Sequence, residues 1–392
     1  MSGEPEPGLI ACLREGLDAT IATIADTWRP DDPEYRADFY RQAMMNLSYS
    51  YFAFFHADAE HPDWAPLWNP VYTDQPNPDD IYLYAPIQGD LTYRISGNRG
   101  SCAMVTFTTQ HGWIGLNEYD AMSGNADFDD RDLVTDANGD FELILSAERP
   151  RDEVANWARI APDADALVVR YRMVDWENER DPQLSIECLD AVGPKPRLTP
   201  GDIVERIRAM SLLPLRYNKA FLPMQNDVKA EVGVNAFTHT RYTAGLTRQI
   251  YWPAVFELED DEALIVETEM PARRHYWNIQ LNDPYFNAVE YVYRLASINE
   301  ATAHYGSDGR FRAVIALADP GVPNWLDPAG FRQGTIYGRW YDCDPNPMPT
   351  ITRVRLSELR DHLPPDTPAV GPQERADQIR RRVRAAQRRR RW

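Results

Sequence analysis

An internal repeat constrains this chain more than any other feature. The segment Asn138 to Pro150 (NGDFELILSAERP) lines up with Asp308 to Pro320 (DGRFRAVIALADP), and each is followed by an Asn-Trp pair, Asn156-Trp157 and Asn324-Trp325. Each then reaches an Arg with an Asp three residues on, Arg172/Asp175 and Arg339/Asp342. Upstream, Ile81-Tyr82 matches Ile250-Tyr251, and the Leu91 strand matches the Leu264 strand. The offset stays near ~170 residues throughout, which is the signature of a duplicated structural unit.

Hydropathy gives the unit its character. From Ile81 the apolar residues alternate with period two in short runs: Leu91 to Ile95, Cys102 to Thr108, Phe141 to Leu145, Leu167 to Met173 and Leu184 to Leu189. Gly-, Asn- and Asp-rich turns separate them, and strands resume at Gln249. The chain therefore reads as mainly β, a tandem (double) jelly-roll or β-sandwich repeat. The expected divisions are a helical segment over 1–76, a first β domain over 77–198, a helical connection over 199–245, a second β domain over 246–362, and a Pro-rich linker with an Arg-rich tail over 363–392. Helical spacing over 8–28, stopped by Pro30, and over 34–55 defines the first segment. Thr199-Pro200-Gly-Asp202 opens the connecting helix, with Thr as N-cap, Pro at the first position and Asp near the dipole. In the tail, Ile379, Val383 and Ala386 offer an apolar seam.

Charge narrows the partners. Of a net −19 over 392 residues, residues 371–392 carry nine arginines against Glu374 and Asp377, so this tail is +7 and the rest is −26. So acidic a body argues against nucleic acid as a main partner. The tail reads as a binder of nucleic acid or acidic lipids or, the favoured reading, as docking on the acidic body of its own or a neighbouring subunit, with Trp392 as an anchor. The acidic N-terminus does not read as a signal peptide and no apolar run is long enough to span a membrane, so a cytoplasmic protein is expected. Cys12, Cys102, Cys188 and Cys343 are too dispersed for a disulfide framework or a zinc site.

Four segments resemble a known family. Asn77-Pro-Asp-Asp-Ile-Tyr82, Tyr276-Trp-Asn-Ile-Gln-Leu281, Gly321-Val-Pro-Asn-Trp-Leu-Asp327 and Gly334 to Trp340 are similar to the bacterial family called domain of unknown function 1214, as is the Arg-rich ending. The resemblance runs from about Asn77 to Trp392. It implies a pair of jelly rolls of the kind seen in viral capsid proteins, and supplies no established reaction. Members often carry His where this chain has Phe331, so no role for that His transfers.

Candidate chemistry comes from the residues themselves. No dinucleotide or Walker loop, nucleophile elbow or H-E-x-x-H is present, and the seven histidines show no ligand spacing, so neither a cofactor nor a metal held by a local motif is expected, a metal site assembled across strands staying open. On the strand Ala263 to Met270, Glu267 and Glu269 share a face with Ile265; they read as an acid–base pair or as a solvated outer face. The next strand places Tyr276, Asn278, Gln280 and Asn282 on one face and His275 on the other, with Arg274 flanking. Neutral directional groups suit a hydroxylated or carbonyl ligand, or an edge or interface that satisfies backbone groups. Asn324-Trp325 reads as a structural turn and Asp327 as the more chemical residue. Asp79 and Asp80 read as an acid site or a strand-entry turn, and Arg172 and Arg339 as ion pairs with the Asp three residues on. The leading expectation is a cofactor-independent acid–base enzyme, a hydrolase or lyase, acting on a neutral ring-bearing small molecule such as a glycoside or a steroid- or terpenoid-like compound. Asp327 and Glu267 are its candidate acid and base, and His275, Tyr276, Asn278, Gln280, Asn282 and Arg274 its substrate-binding groups. The alternative is a homo-oligomeric scaffold or binding module without catalysis.

Overall fold

The computed structural model describes residues 8–27, 33–112, 123–191, 193–240 and 246–389. The expected stop at Pro30 and the Trp392 anchor lie outside them. Two helices, α1 (Leu9–Thr27) and α2 (Pro33–Phe55), lead into a mainly β body of four sheets. The first sheet has the order β1 (Ala65–Leu67), β2 (Asp80–Pro86), β8 (Ala166–Arg172), β4 (Met104–His111), β5 (Ser123–Asp129). The second has the order β7 (Trp157–Arg159), β6 (Asp140–Ser146), β3 (Tyr93–Asn98), β9 (Gln183–Cys188). After α3 (Pro200–Val232) the pattern returns. The third sheet is β10 (Gln249–Glu257), β16 (Gln333–Tyr341), β12 (Tyr276–Asn282), β13 (Ser297–Asn299). The fourth is β15 (Trp325–Leu326), β14 (Phe311–Ile315), β11 (Glu262–Thr268), β17 (Thr350–Arg355), and α4 (Pro372–Arg388) closes the chain.

The repeat is a physical one. Strand order β2-β8-β4-β5 reappears as β10-β16-β12-β13, and β7-β6-β3-β9 as β15-β14-β11-β17. In both units the Asn-Trp dipeptide leads into a parallel pair of strands, β6 with β7 and β14 with β15. Asn156 donates to the carbonyls of Val134 and Glu142 and accepts from the Val134 amide; Asn324 does the same with His304 and Arg312. Each Asn thus pins two crossing segments, which makes it a structural residue, as expected.

One pairing expected from the repeat is corrected. Tyr82 lies opposite Arg170, and Tyr251 opposite Arg339, so Arg170 rather than Arg172 is the counterpart of Arg339. Neither expected ion pair with the Asp three residues on forms. Arg172 is bonded bidentately to Asp80, its neighbour in the ladder, at 2.6 and 2.7 Å. Arg339 turns to Gln280 (2.6 Å) and Asn278, because its own ladder partner on β12 is an amide. Asp342 pairs instead with Arg273.

Each pair of sheets closes on its own core. In the first unit Ile81, Val105, Phe107, Leu143 and Val169 fill the space. In the second, Trp252, Leu264, Trp277, Phe311 and Trp340 do so. The third sheet's opposite face meets the first sheet: Met104, Tyr276 and Tyr341 pack together, while α2 and α3 wedge in through Tyr49, Leu213, Tyr217 and Phe221 against Tyr82, Val168 and Tyr337. Thr199 caps α3 with a reciprocal bond to Asp202, as its sequence predicts. The tail forms the helix α4, and Val383 and Ala386 pack on the second core as the seam predicts.

Candidate functional site

The segment entering β2 has an unusual backbone. Trp68, Tyr72, Asp74 and Gln75 all have positive φ, of 53°, 60°, 62° and 45°. Such conformations are costly without glycine and persist only where the surroundings over-determine them. Here polar clasps do so. Asn69 bonds the carbonyl of Asp80 and the amide of Tyr82, Asn46 reaches Thr73, and the Gln75 amide reaches the Phe286 carbonyl. The segment is thereby threaded between the first and third sheets.

Its side chains meet the amide strand. Tyr276, Asn278, Gln280 and Asn282 are fully buried, and their face of β12 looks toward the neighbouring unit. Asn278 donates to Asn77 (2.8 Å), Gln280 to the carbonyls of Gln75 and Pro76 and to Asn282 (2.6 Å), and Asn282 to Thr335. These amides therefore satisfy an inter-unit interface, the structural alternative in the sequence.

Tyr276 leads to a different centre. Its hydroxyl donates to Oδ2 of Asp79 at 2.6 Å, and the Arg172 guanidinium lies 3.9 Å from its ring centroid. Asp79 also accepts from Nε1 of Trp176 (2.9 Å) and Nδ2 of Asn299 (2.8 Å) on Oδ1. It is 1% exposed, and burial pushes its carboxyl above the usual range, only partly opposed by the Tyr276 bond and the Arg389 charge. Asp79 lies in the wall of a cavity of about 690 Å³ between the two units and α4; Trp176, Asn299, His304, Arg381 and Arg382 also line it.

Helix α4 builds one side of this cavity, and its arginines, with Arg389 just past its end, tie it to the body. Arg375 pairs with Asp319 (2.9 Å), Arg382 reaches the Tyr291 carbonyl and Ser297, and Arg389 holds the carbonyls of Pro78 (2.6 Å) and Asp79 (2.7 Å). The guanidinium carbons of Arg382 and Arg389 lie 4.5 and 4.8 Å from the Trp176 ring centroid. The tail thus docks on its own chain, though largely through backbone carbonyls and rings; of its bonded partners on the body, Asp319 alone is a carboxylate among the described residues. The signal for this was the seven-residue spacing of Arg375, Arg382 and Arg389, which places them on one helical face.

The other expected residues lie elsewhere. Glu267 sits on the outer face of β11, bonded by Arg310 (2.6 Å) and by Arg312, its ladder partner; Arg310 also holds Glu269. Asp327 pairs with Arg294 (2.8 Å) and accepts the amide of Ala329, whose φ is 58°, so it clasps a turn. The two share no partner, and neither lines the cavity. His275 is exposed beside Tyr341, and Arg274 pairs with Glu300. Among the described residues no cluster of His, Cys, Asp and Glu is placed to hold a metal, and no helix is long and apolar enough to cross a membrane.

Comparison with known proteins places this geometry. An uncharacterised protein from Burkholderia cenocepacia has a similar structure, with a TM-score of 0.82 and 27% identity over 89% of this chain and 97% of that one. The VPA0106 protein from Vibrio parahaemolyticus gives a TM-score of 0.48 at 14% identity, covering 87% of this chain and 100% of that one. No curated protein matches the chain. The family described as "Protein of unknown function (DUF1214)" matches residues 258–345, most of the second β unit. The chain therefore carries a DUF1214 domain in that unit.

Proposed function

We propose that this chain is a cofactor-independent acid–base enzyme acting on a small molecule bound in the cavity between its two β units, with Asp79 as the group that moves the proton. The observation that carries the reading is a buried carboxyl in the wall of a cavity large enough for a small organic ligand, held by Tyr276, Trp176 and Asn299. Burial raises this carboxyl's hold on a proton, which is the direction that acid–base work by a carboxyl uses. Asp79 replaces Asp327 and Glu267 in that role, because both of those are held by arginines away from the cavity. We read the scaffold as two jelly rolls, since consecutive strands β2, β3 and β4 cross between facing sheets in the first unit, as β10, β11 and β12 do in the second.

The test is a thermal-shift panel of sugars, steroids, terpenoids and lactones, followed by turnover of any hit. Asp79→Asn should retain binding and lose turnover, while Asp327→Asn and Glu267→Gln retain both. Undiminished turnover in Asp79→Asn removes the proposal. A second reading, self-association, is supported by exposed apolar residues along α2: Tyr40 is 63%, Met44 45% and Tyr51 55% exposed. Light scattering of a Tyr40→Glu, Tyr51→Glu variant checks it, and a mass equal to that of the parent chain counts against it.

A further inference from the structure

The arginines of α4 are unevenly supplied with anions. Arg375 has Asp319 and Arg380 has Asp377. Arg382 has no carboxylate within salt-bridge distance among the described residues; its donors reach the Tyr291 carbonyl and both oxygens of Ser297. Desolvation holds the guanidinium down to about 10, a lowering that Asp79 and Glu290 oppose from a distance and Arg389 adds to. Arg389, just past the helix, likewise bonds only carbonyls among the described residues. Arg381 lines the cavity, is exposed, and makes no hydrogen bond or salt bridge among the described residues; the nearby Asp377 is already taken by Arg380.

The carboxylates near the cavity offset this only in part: Glu290 acts on Arg382 without touching it and accepts the Val292 and Tyr293 amides. Asp79 is pushed toward its neutral form by burial. Both oxygens of Asp175 are engaged in its own turn, accepting the Glu177 and Asn178 amides and the Asn178 side chain. Glu177 and Glu374 are exposed, where water screens them. A half-buried guanidinium with no carboxylate in contact is left short of counter-charge, and its planar fork matches a carboxylate in two-point geometry.

We infer that the cavity takes a ligand bearing a carboxylate, which the half-buried Arg382 and the exposed Arg381 receive. This rests on the reading of the cavity as a ligand site, and it narrows that site's substrate class from the neutral compound expected from sequence to an organic acid. Asp79 then faces the remainder of the ligand, where a proton is to be given or taken.

The experiment uses matched probes of nearly equal shape and different charge: acetate with acetamide, benzoate with benzamide, succinate with succinamide, and inorganic phosphate, all at constant ionic strength. At least one carboxylate should raise the melting temperature of the full chain while its amide does not, since only a ligand favouring the native state shifts it. Arg381→Gln, whose exposed side chain carries no packing, should weaken that binding roughly tenfold. Arg382→Gln should weaken it further, while Arg384→Gln, exposed and outside the cavity wall, leaves it unchanged. Acids and amides acting equally, phosphate alone acting, carboxylate binding untouched by Arg381→Gln and Arg382→Gln, or no probe acting would each overturn the inference. An amide that binds while its acid does not overturns the acid class but leaves the cavity as a ligand site. Loss of turnover in Asp79→Asn with no carboxylate preference likewise keeps the proposed function and removes only this inference.

Discussion

The two β units have the same ladder and opposite chemistry at one rung. In the first unit Asp80 faces Arg172; at the equivalent rung of the second, Gln249 faces Tyr341. The rungs meet across the interface: Arg172 also donates to Gln249 (3.3 Å) and lies 5.3 Å from the Tyr341 ring centroid. Duplication supplied two copies of a position, and burying them against each other left room for one ion pair. A second pair at the same depth would put like charges side by side, and burial makes that expensive. The neutral copy therefore completes the charged one.

Breaking the charged rung should have the largest effect. Asp80→Ala leaves a 1% exposed guanidinium without its counter-charge and should cost about 3–5 kcal/mol. Gln249→Ala, at the matching rung, should cost about 1 kcal/mol. Urea unfolding of both variants decides it, and equal losses would show that the rungs are not specialised.

Next in size is a pH effect from the second unit alone. Asp283, in the turn after β12, is buried and accepts the Tyr285 and Asn287 amides and the Asn287 side chain, and burial pushes its carboxyl up to about 6. A carboxyl raised above its unfolded value binds more protons when folded, so it stabilises most at low pH and that contribution fades as pH rises. Between pH ~4 and ~6 the chain should lose roughly 2–3 kcal/mol through this group. Asp283→Asn should flatten that part of the stability profile, as measured by melting temperature against pH; an unchanged slope would place the proton elsewhere.

A smaller pair of effects sharpens the comparison. Asn156→Ala and Asn324→Ala each remove the same three hydrogen bonds and should each cost about 1–3 kcal/mol. If only one of them destabilises, the shared sequence motif no longer marks a shared load.

These same asparagines show why so much of the fold was legible. The Asn-Trp dipeptides, the Phe141 and Phe311 strands and the Tyr82 and Tyr251 strands are local patterns, and a duplicated pattern is legible twice. Registers were less so: Arg172 was matched to Arg339 because each has an Asp three residues on, whereas pairing across β2 and β8 depends on a partner far along the chain. Tyr276, Asn278, Gln280 and Asn282 were correctly grouped by alternation, but alternation does not tell an outward face from one covered by another unit. Asp79 was noted only as an acid before a strand; its depth, and its contacts with Trp176, Asn299 and Arg389, join four distant segments. The seven-residue arginine spacing is visible in the tail, but docking was expected on the acidic body through charge, and only the position of Trp176 shows that the arginines meet a ring and backbone carbonyls.

The smallest expected effect tests the outer faces. In the second unit Glu267 is flanked by Arg310 and Arg312; at the matching places in the first unit, Asp140 and Glu142 stand where those arginines are, so the paired faces carry opposite charge patterns. Glu267 remains partly solvated, with 29% of its side chain exposed, so both arginines keep water as an alternative partner. Glu267→Gln should therefore change unfolding free energy by less than about 1 kcal/mol, and the change should shrink further as salt is added. A loss of several kcal/mol that salt does not alter would mean that the outer face of β11 is covered by something in solution, and would turn attention from the inter-unit cavity to that sheet.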